Sequence, residues 1–505
     1  MAFQCVTLLS MKHQFKTPGK SAKGLVFLVL LLVFLGSSQV LAQVIRPANT
    51  SDEDRFIETF RQVFRFIQSN FVDEVDPQVL LDGAMKGMFE ALDDPYSAFL
   101  TATDMRSLTD TTQGQFGGVG LYINKVVPSS SNPEIGPWVE IVSPIDDTPA
   151  FRAGLASGDY ITHINGESVD EITIDEVVSR LRGTPGTPVE VTIRRGRNAT
   201  FNVELVRAII EIPTVRHATI GNTGFLRIIQ FTPRTTERVE AALRELRAQN
   251  VTSLIVDVRA NPGGLLNAVV DTGDLFFNDG LIVGTRGRNV RENQVFNARP
   301  GVAFPEDIPM VVLIDRGSAS AAEILAGALR NRGRAITVGT TTFGKGSVQQ
   351  IRQLGSTGFR LTMSRYYTPG NIFIDKVGVP PDVEVIPPAL TEEEERALGE
   401  VTQERRIPRF LDSTPNPTPA QIRAFENQLR SEGLGLPSRV IGRMILQEQD
   451  RRANVTRVFD LDFDLVLQEA LRIIRAGEVQ QIIDARPPLQ SDFAQAGNLP
   501  VPRAP

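Results

Sequence analysis

Two loops in the second half of the chain hold residue types that could perform acyl transfer. The first, Ile314-Asp315-Arg316-Gly317-Ser318-Ala319-Ser320-Ala321-Ala322-Glu323, joins an apolar run to a stretch with helical spacing through Ile324, Leu325, Ala328 and Leu329. A serine hydroxyl at a helix start lies beside unpaired N–H groups and the positive end of the helix dipole, both of which favour a developing oxyanion. The same serine also suits a structural role, since Ser320 and Glu323 have capping-box spacing and Ser318 can cap the same helix. The second loop, Gly339-Thr340-Thr341-Thr342-Phe343-Gly344-Lys345-Gly346, holds Lys345 between glycines behind an aromatic residue. A lysine amine withdrawn from water loses its proton near neutral pH and can then act as a general base.

Rival chemistries fail on specific residues. Gly339 to Lys345 also fits Gly-x-x-x-x-Gly-Lys, but Gly346 stands where a Ser or Thr would hold magnesium. Ser347-Val348-Gln349-Gln350-Ile351 then reads as a strand where a nucleotide-binding loop must open a helix. Beyond the amino-terminal segment only His163 and His217 are available for a histidine-based triad, and both read as structural. No HExxH, paired-cysteine or clustered carboxylate–histidine spacing is present, so no metal and no cofactor is expected. The single cysteine, Cys5, lies in that amino-terminal segment, which removes thiol chemistry from the rest of the chain. A formal charge of −6 with both signs interleaved supplies no basic stripe, so nucleic acid is not an expected partner.

The elements that must position these loops follow from pattern. A chain of 505 residues exceeds one ordinary core, so several domains are expected. Residues 1–42 read as an export signal, with Lys12, Lys16, Lys20 and Lys23 before the apolar run Gly24 to Leu35 and Val40-Leu41-Ala42 at the end. The alternative is a membrane anchor through residues 24–41, and either reading puts the remainder in the periplasm or cell envelope. Residues 43–114 form a helical region with Phe56, Phe60, Val63, Phe64 and Ile67 at helical steps, an oligomerisation arm or a helix closing over the next domain. Residues 115–206 change to short strands and glycine turns, with the tight-turn pair Asn165-Gly166 and capping-box spacing from Thr173 to Glu176. Residues 207–390 alternate strands such as Ser253 to Arg259 and Met310 to Ile314 with helices such as Thr236 to Gln249, which implies helices packed on a sheet. Residues 391–505 are proline-broken helices suited to packing or to a homo-oligomer. The expected fold class is therefore multidomain α/β, a β-rich domain followed by an α/β core, with helical regions at both ends.

The run of residues 115–206 resembles a bacterial-type PDZ domain. That resemblance implies a loop, Gly118-Val119-Gly120-Leu121, whose N–H groups take the terminal carboxylate of a peptide that adds as a strand beside the helix from Ile174 to Arg182. Val177 and Val178 suggest a pocket for an apolar final side chain, with core packing the alternative for at least one, and Arg182 is the candidate sensor of an occupied site. Four further motifs, Asn261-Pro262-Gly263-Gly264, Gly317-Ser318-Ala319-Ser320-Ala321, Phe343-Gly344-Lys345-Gly346-Ser347-Val348-Gln349 and Gly378-Val379-Pro380-Pro381-Asp382, follow in order. With them the chain resembles a carboxyl-terminal processing peptidase, the tail-specific protease family, over residues 60 to 385. The resemblance implies Ser320 as nucleophile, Lys345 as base and Gln349 as the residue that orients the lysine. It implies oxyanion donors at the N–H of Ala321 and at one of the Gly263-Gly264 pair, where missing side chains let a carbonyl approach. The implied function is an exported serine endopeptidase that cleaves proteins near flexible, apolar C-terminal tails through an acyl-enzyme. A different class, a non-catalytic PDZ-bearing adaptor or chaperone of the cell envelope, is the alternative.

Overall fold

Continuous apolar runs cannot alternate between a wet and a dry face, so strands made of them are buried on both sides. Ser253–Asp257, Met310–Ile314 and Ile336–Gly339 are such runs, and every residue in them is buried. They lie side by side in a six-stranded sheet of order Val215–Ile220, Thr223–Ile228, Ser253–Asp257, Met310–Ile314, Ile336–Gly339, Val383–Glu384. The first pair is antiparallel and the other four pairings are parallel. Helices Thr235–Ala248, Leu266–Asp274 and Ala321–Asn331 cover one face through Val239, Leu243, Val269, Ile324 and Leu325. The other face is covered from far along the chain by helices Leu465–Ala476 and Val479–Asp484, whose Leu467, Ala470, Leu471 and Val479 pack on Ile255, Val311, Leu313 and Val338. A second, antiparallel sheet is built around the long strand Thr357–Thr368, which pairs with Ala98–Leu100, Leu281–Gly287 and Ser347–Leu354.

The computed structural model describes residues 52–126, 136–145, 148–156, 158–196, 199–211, 213–453, 455 and 457–489. The segment read as an export signal or anchor lies outside them. No helix among the described residues is long and apolar enough to cross a membrane. The chain divides into two units at Met85 and Lys86. The first contains the helix Asp52–Asn70, which opens on Asp52, Glu53 and Asp54, as the helix dipole favours, and has no buried residue.

Residues 121–206 form a separate antiparallel sheet of order Leu121–Lys125, Val139–Pro144, Tyr160–Ile164, Pro188–Arg195, Ala199–Val206. Val189, Val191 and Ile193 alternate inward along one strand and meet Val177 and Leu181 of the helix Ile174–Leu181. Spacing of four places both helical residues on one face. Thr173 caps that helix by accepting from Glu176 N at 3.3 Å, and Asn165 and Gly166 both have positive φ, 51° and 80°, as a tight hairpin turn requires. Between Thr391 and Ala453 a bundle of short helices has its own core, including Val401, Leu411, Leu429 and Ile441.

Candidate active site

Three neighbouring parallel strands must release their loops at the same end of a sheet, and in open α/β sheets that end is where sites form. Asp257 is in register with Leu313, and Ile314 with Gly339. The loops that follow, 258–265, 315–320 and 340–346, therefore meet, although the last begins more than seventy residues after the first.

Hydrogen bonds lock the first two loops together. Ser318 donates from Oγ to Val258 O at 2.8 Å and accepts from Asp315 N at 3.1 Å, Ala260 N donates to Asp315 Oδ1 at 2.9 Å, and Ala319 N donates to Asn261 O at 2.9 Å. Ser318 thus fixes the loop rather than capping the helix, the alternative its spacing left open. Asn261, fully buried, donates to Ile228 O at 2.8 Å and accepts from Gly263 N at 2.8 Å. A Cβ on Gly263 would lie 2.7 Å from Ser320 Cβ and 2.9 Å from Ala321 N, and one on Gly264 would lie 2.0 Å from Phe231 O. Glycine is required at both positions, at 263 by the approach of Ser320 and Ala321 and at 264 by the backbone of Phe231.

The hydrogen bonds also separate the two glycines. Gly263 N is engaged by Asn261, whereas Gly264 N and Ala321 N have no hydrogen-bond partner among the described residues. Ser320, at the mouth of the helix Ala321–Asn331, has φ 56° and ψ −116°, a conformation that L-residues adopt only where the surroundings enforce it.

The enforcing group is Glu323. Its side chain is fully buried, and its carboxylate accepts four hydrogen bonds: Ser320 N at 2.8 Å, Lys345 N at 2.9 Å, Gly344 N at 2.7 Å and Thr342 Oγ1 at 2.6 Å. One carboxylate therefore ties the backbone of Ser320 to the loop that carries Lys345. Burial pushes the Glu323 carboxyl above its ordinary value although its four donors work the other way. Phe343 N also donates to Ser318 O at 3.0 Å, and the buried Tyr366 phenol donates to Lys345 O.

The half-buried Lys345 amine lies 5.0 Å from the centroid of the Tyr96 ring and is not hydrogen-bonded to Ser320. Removal from water holds its pKa below the ordinary lysine value, and the nearby charge of Arg360 adds to the effect, while Glu323 and Asp94 oppose it. Gln349 donates from its amide nitrogen to Ser347 Oγ at 2.8 Å and Thr362 Oγ1 at 3.4 Å. The two histidines are occupied elsewhere, His163 with Thr162 Oγ1 at 3.0 Å and His217 with Glu245 at 2.9 Å. No group of three or more His, Cys, Asp or Glu residues among the described residues could hold a metal ion.

Residues 222–385 match the model of peptidase family S41, residues 140–195 that of the PDZ domain, and residues 34–103 that of the activating protease CtpB N-terminal domain. The chain is 39% identical to a carboxy-terminal-processing protease of Bartonella bacilliformis, over 70% of this chain and 81% of that protein. It is 33% identical to the carboxy-terminal processing protease CtpB of Bacillus subtilis, over 67% of this chain and 69% of the relative. The chain belongs to the carboxy-terminal-processing proteases of peptidase family S41. A solved photosystem II D1 C-terminal processing protease matches at 29% identity with a TM-score of 0.40, over 67% of this chain and 96% of that one.

In this processing protease the PDZ domain has an open edge. Leu121–Lys125 pairs with Val139–Pro144 and with no other strand among the described residues. Gly118, at the loop start, faces the Phe116 ring, and the Arg182 guanidinium stacks 4.5 Å from that ring's centroid. Gly183 N donates to Gly117 O at 3.1 Å, so the helix end and the glycine loop are joined. Val177 departs from the expected pocket wall: it is 0% exposed, because the stripe it shares with Leu181 faces the sheet, and only Val178 keeps partial exposure. Val119 is likewise buried in the domain core, leaving its backbone rather than its side chain for a ligand. The two-stranded ribbon Gln115–Gly118 with Ala208–Glu211 leads from the glycine loop back to the protease core, where Glu211 pairs with Arg234 at 2.8 Å and Arg238 at 2.5 Å.

Sequence reasoning saw Glu323 only as a helix-start residue and did not single out Asp315, Tyr366 or Tyr96. Glu323 carried a signal, its position three residues after Ser320. Tyr96 carried none, since its neighbourhood is made by pairing Ala98–Leu100 with Gly358–Arg360.

Proposed function

We propose that this serine-type processing protease is an exported endopeptidase that cleaves proteins near their C-terminal tails with Ser320 as nucleophile and Lys345 as general base. The observation that carries the reading is the Glu323 carboxylate, which binds the Ser320 N–H and the Lys345 N–H at once and so sets the two loops against each other. Neutral Lys345 takes the Ser320 proton, the alkoxide attacks the peptide carbonyl, and the lysine returns the proton to the leaving amine. Water then hydrolyses the ester. The N–H groups of Ala321 and Gly264 receive the oxyanion, which is consistent with both lacking other partners while Gly263 N is engaged. Gln349 acts from the strand Ser347–Leu354, where its amide reaches the lysine loop through Ser347.

The PDZ domain captures the substrate's free C-terminus at Gly118 to Leu121, and the tail adds as a strand to the open edge of Leu121–Lys125. Residues 1–42 direct export, the helical region at 43–114 and the bundle beyond 391 support self-association, and the substrates are proteins with flexible apolar tails.

Digestion of casein by the purified protein tests the chemistry. Ser320→Ala and Lys345→Ala should each lose activity by a factor of at least about 10³, with unchanged thermal melts. Full activity in either variant overturns the mechanism, and an undigested substrate with wild-type protein favours the adaptor reading. The pH dependence has a definite sign. The active lysine is neutral, so kcat/KM should rise with pH through an ionisation below the ordinary lysine value of 10.5.

A further inference from the structure

The Lys345 amine rests against a residue that no motif placed there. Tyr96 comes from Asp93-Asp94-Pro95-Tyr96-Ser97, far upstream of all three loops. That segment is held from both sides. Asp94 accepts from Tyr96 N at 3.1 Å and from Ser97 Oγ at 2.5 Å, Ser97 Oγ accepts from Thr362 N at 3.0 Å, and Ala98–Leu100 pairs antiparallel with Gly358–Arg360. The backbone that carries the ring is therefore fixed, and the lysine ammonium lies over the ring face at 5.0 Å from the centroid. The charged groups around the amine are Asp94 from this segment, Arg360 from the strand Thr357–Thr368 and Glu323 from the helix Ala321–Asn331, while Asp375, paired with Arg365 at 2.9 Å, acts on Tyr96.

We propose that Tyr96 is a positioning residue for proteolysis, whose ring keeps water from the Lys345 amine and sets where the amine waits before it turns to Ser320. This rests on Lys345 being the base. Two effects of the ring oppose each other. Its negative face attracts the ammonium and favours the protonated form. Its bulk excludes water, which favours the neutral form, and for a half-buried amine beside Arg360 exclusion of water is the larger effect. Removing the ring lets water reach the amine, raises its proton affinity and lowers the neutral fraction that can act at neutral pH.

The test compares Tyr96→Ala, Tyr96→Leu and Tyr96→Phe by kcat and KM across pH on one unstructured peptide. Tyr96→Ala should move the acid limb of kcat/KM upward by about one pH unit and lower kcat near pH 7 by about tenfold, with KM little changed. Tyr96→Phe, which keeps the ring, should restore both. A second readout needs no turnover: in the Ser320→Ala background, the pH dependence of Lys345 acetylation by acetic anhydride, followed by peptide mass mapping, should shift upward in Tyr96→Ala. Where the alanine variant does not fold, the leucine variant carries the comparison, because it fills the space without an aromatic face and should fall between Ala and Phe. Parental profiles and labelling midpoints in the folded Ala or Leu variant overturn the proposal, as does a Phe variant as impaired as Ala. Full activity of Lys345→Ala would instead remove the base assignment on which it rests, so the two failures are distinguishable.

Discussion

The PDZ sheet and the protease sheet solve opposite problems. In the PDZ sheet, residues alternate between a core face and a solvated face, the helices Ile174–Leu181 and Pro149–Arg152 supply cover, and the strand Leu121–Lys125 pairs on one side alone among the described residues. In the protease sheet, Ser253–Asp257 and Met310–Ile314 are buried on both faces, and the loops at their ends are joined by the buried Ser318 and Glu323 and by the half-buried Asp315. Capture of many tails needs unsatisfied backbone donors on a surface. Acyl transfer needs a few groups held within fractions of an ångström, which only an over-determined network achieves. The open edge and the closed network are two uses of the same backbone hydrogen-bonding capacity.

The sharpest way to break the comparison is to damage the closed side by a single methyl group. Gly264→Ala places a Cβ 2.0 Å from Phe231 O, so the loop must move and carry its N–H away from the proposed oxyanion position. Activity should fall by about 10² to 10³ with tail binding intact, as measured by steady-state kinetics beside fluorescence binding of a labelled tail peptide. Parental kinetics would show that the loop is not under the constraint described. On the open side, amidating the tail of one peptide removes a charge-assisted hydrogen bond of about 1.5 to 3 kcal/mol. It should lower kcat/KM by roughly ten- to hundredfold. Equal values for acid and amide would remove the carboxylate from tail selection.

Two smaller effects sharpen the contrast. Glu323→Gln keeps the shape but replaces an acceptor-only group by an amide, which cannot accept all four hydrogen bonds. We expect a fall in kcat of about tenfold and a lower Tm, and an unchanged Tm with full kcat would show that the four bonds do not set the loops. Ser318→Ala should retain substantial activity while destabilising the fold by about 1 to 3 kcal/mol, since it leaves Asp315 N without its partner and Val258 O with only the long bond from Asn261 N at 3.4 Å. Urea unfolding reads that loss directly.

The sequence by itself determined the elements and the chemistry on offer. Apolar runs fixed which strands are doubly buried, Asn165-Gly166 fixed a turn through its positive φ values, and the Ser320, Lys345 and Gly263-Gly264 motifs carried the family because their residue types and order are local properties of the chain. Only the tertiary structure decided which backbone groups remain free and what surrounds each side chain. It engaged the Gly263 N–H with Asn261 and left that of Gly264 without a partner among the described residues, drew Val177 into the core, and laid the helix Leu465–Ala476 on the back of the protease sheet. It also brought Tyr96 to Lys345. Hydrogen-bond occupancy and exclusion of water depend on every atom within a few ångströms, and those atoms come from segments that no spacing along the chain connects.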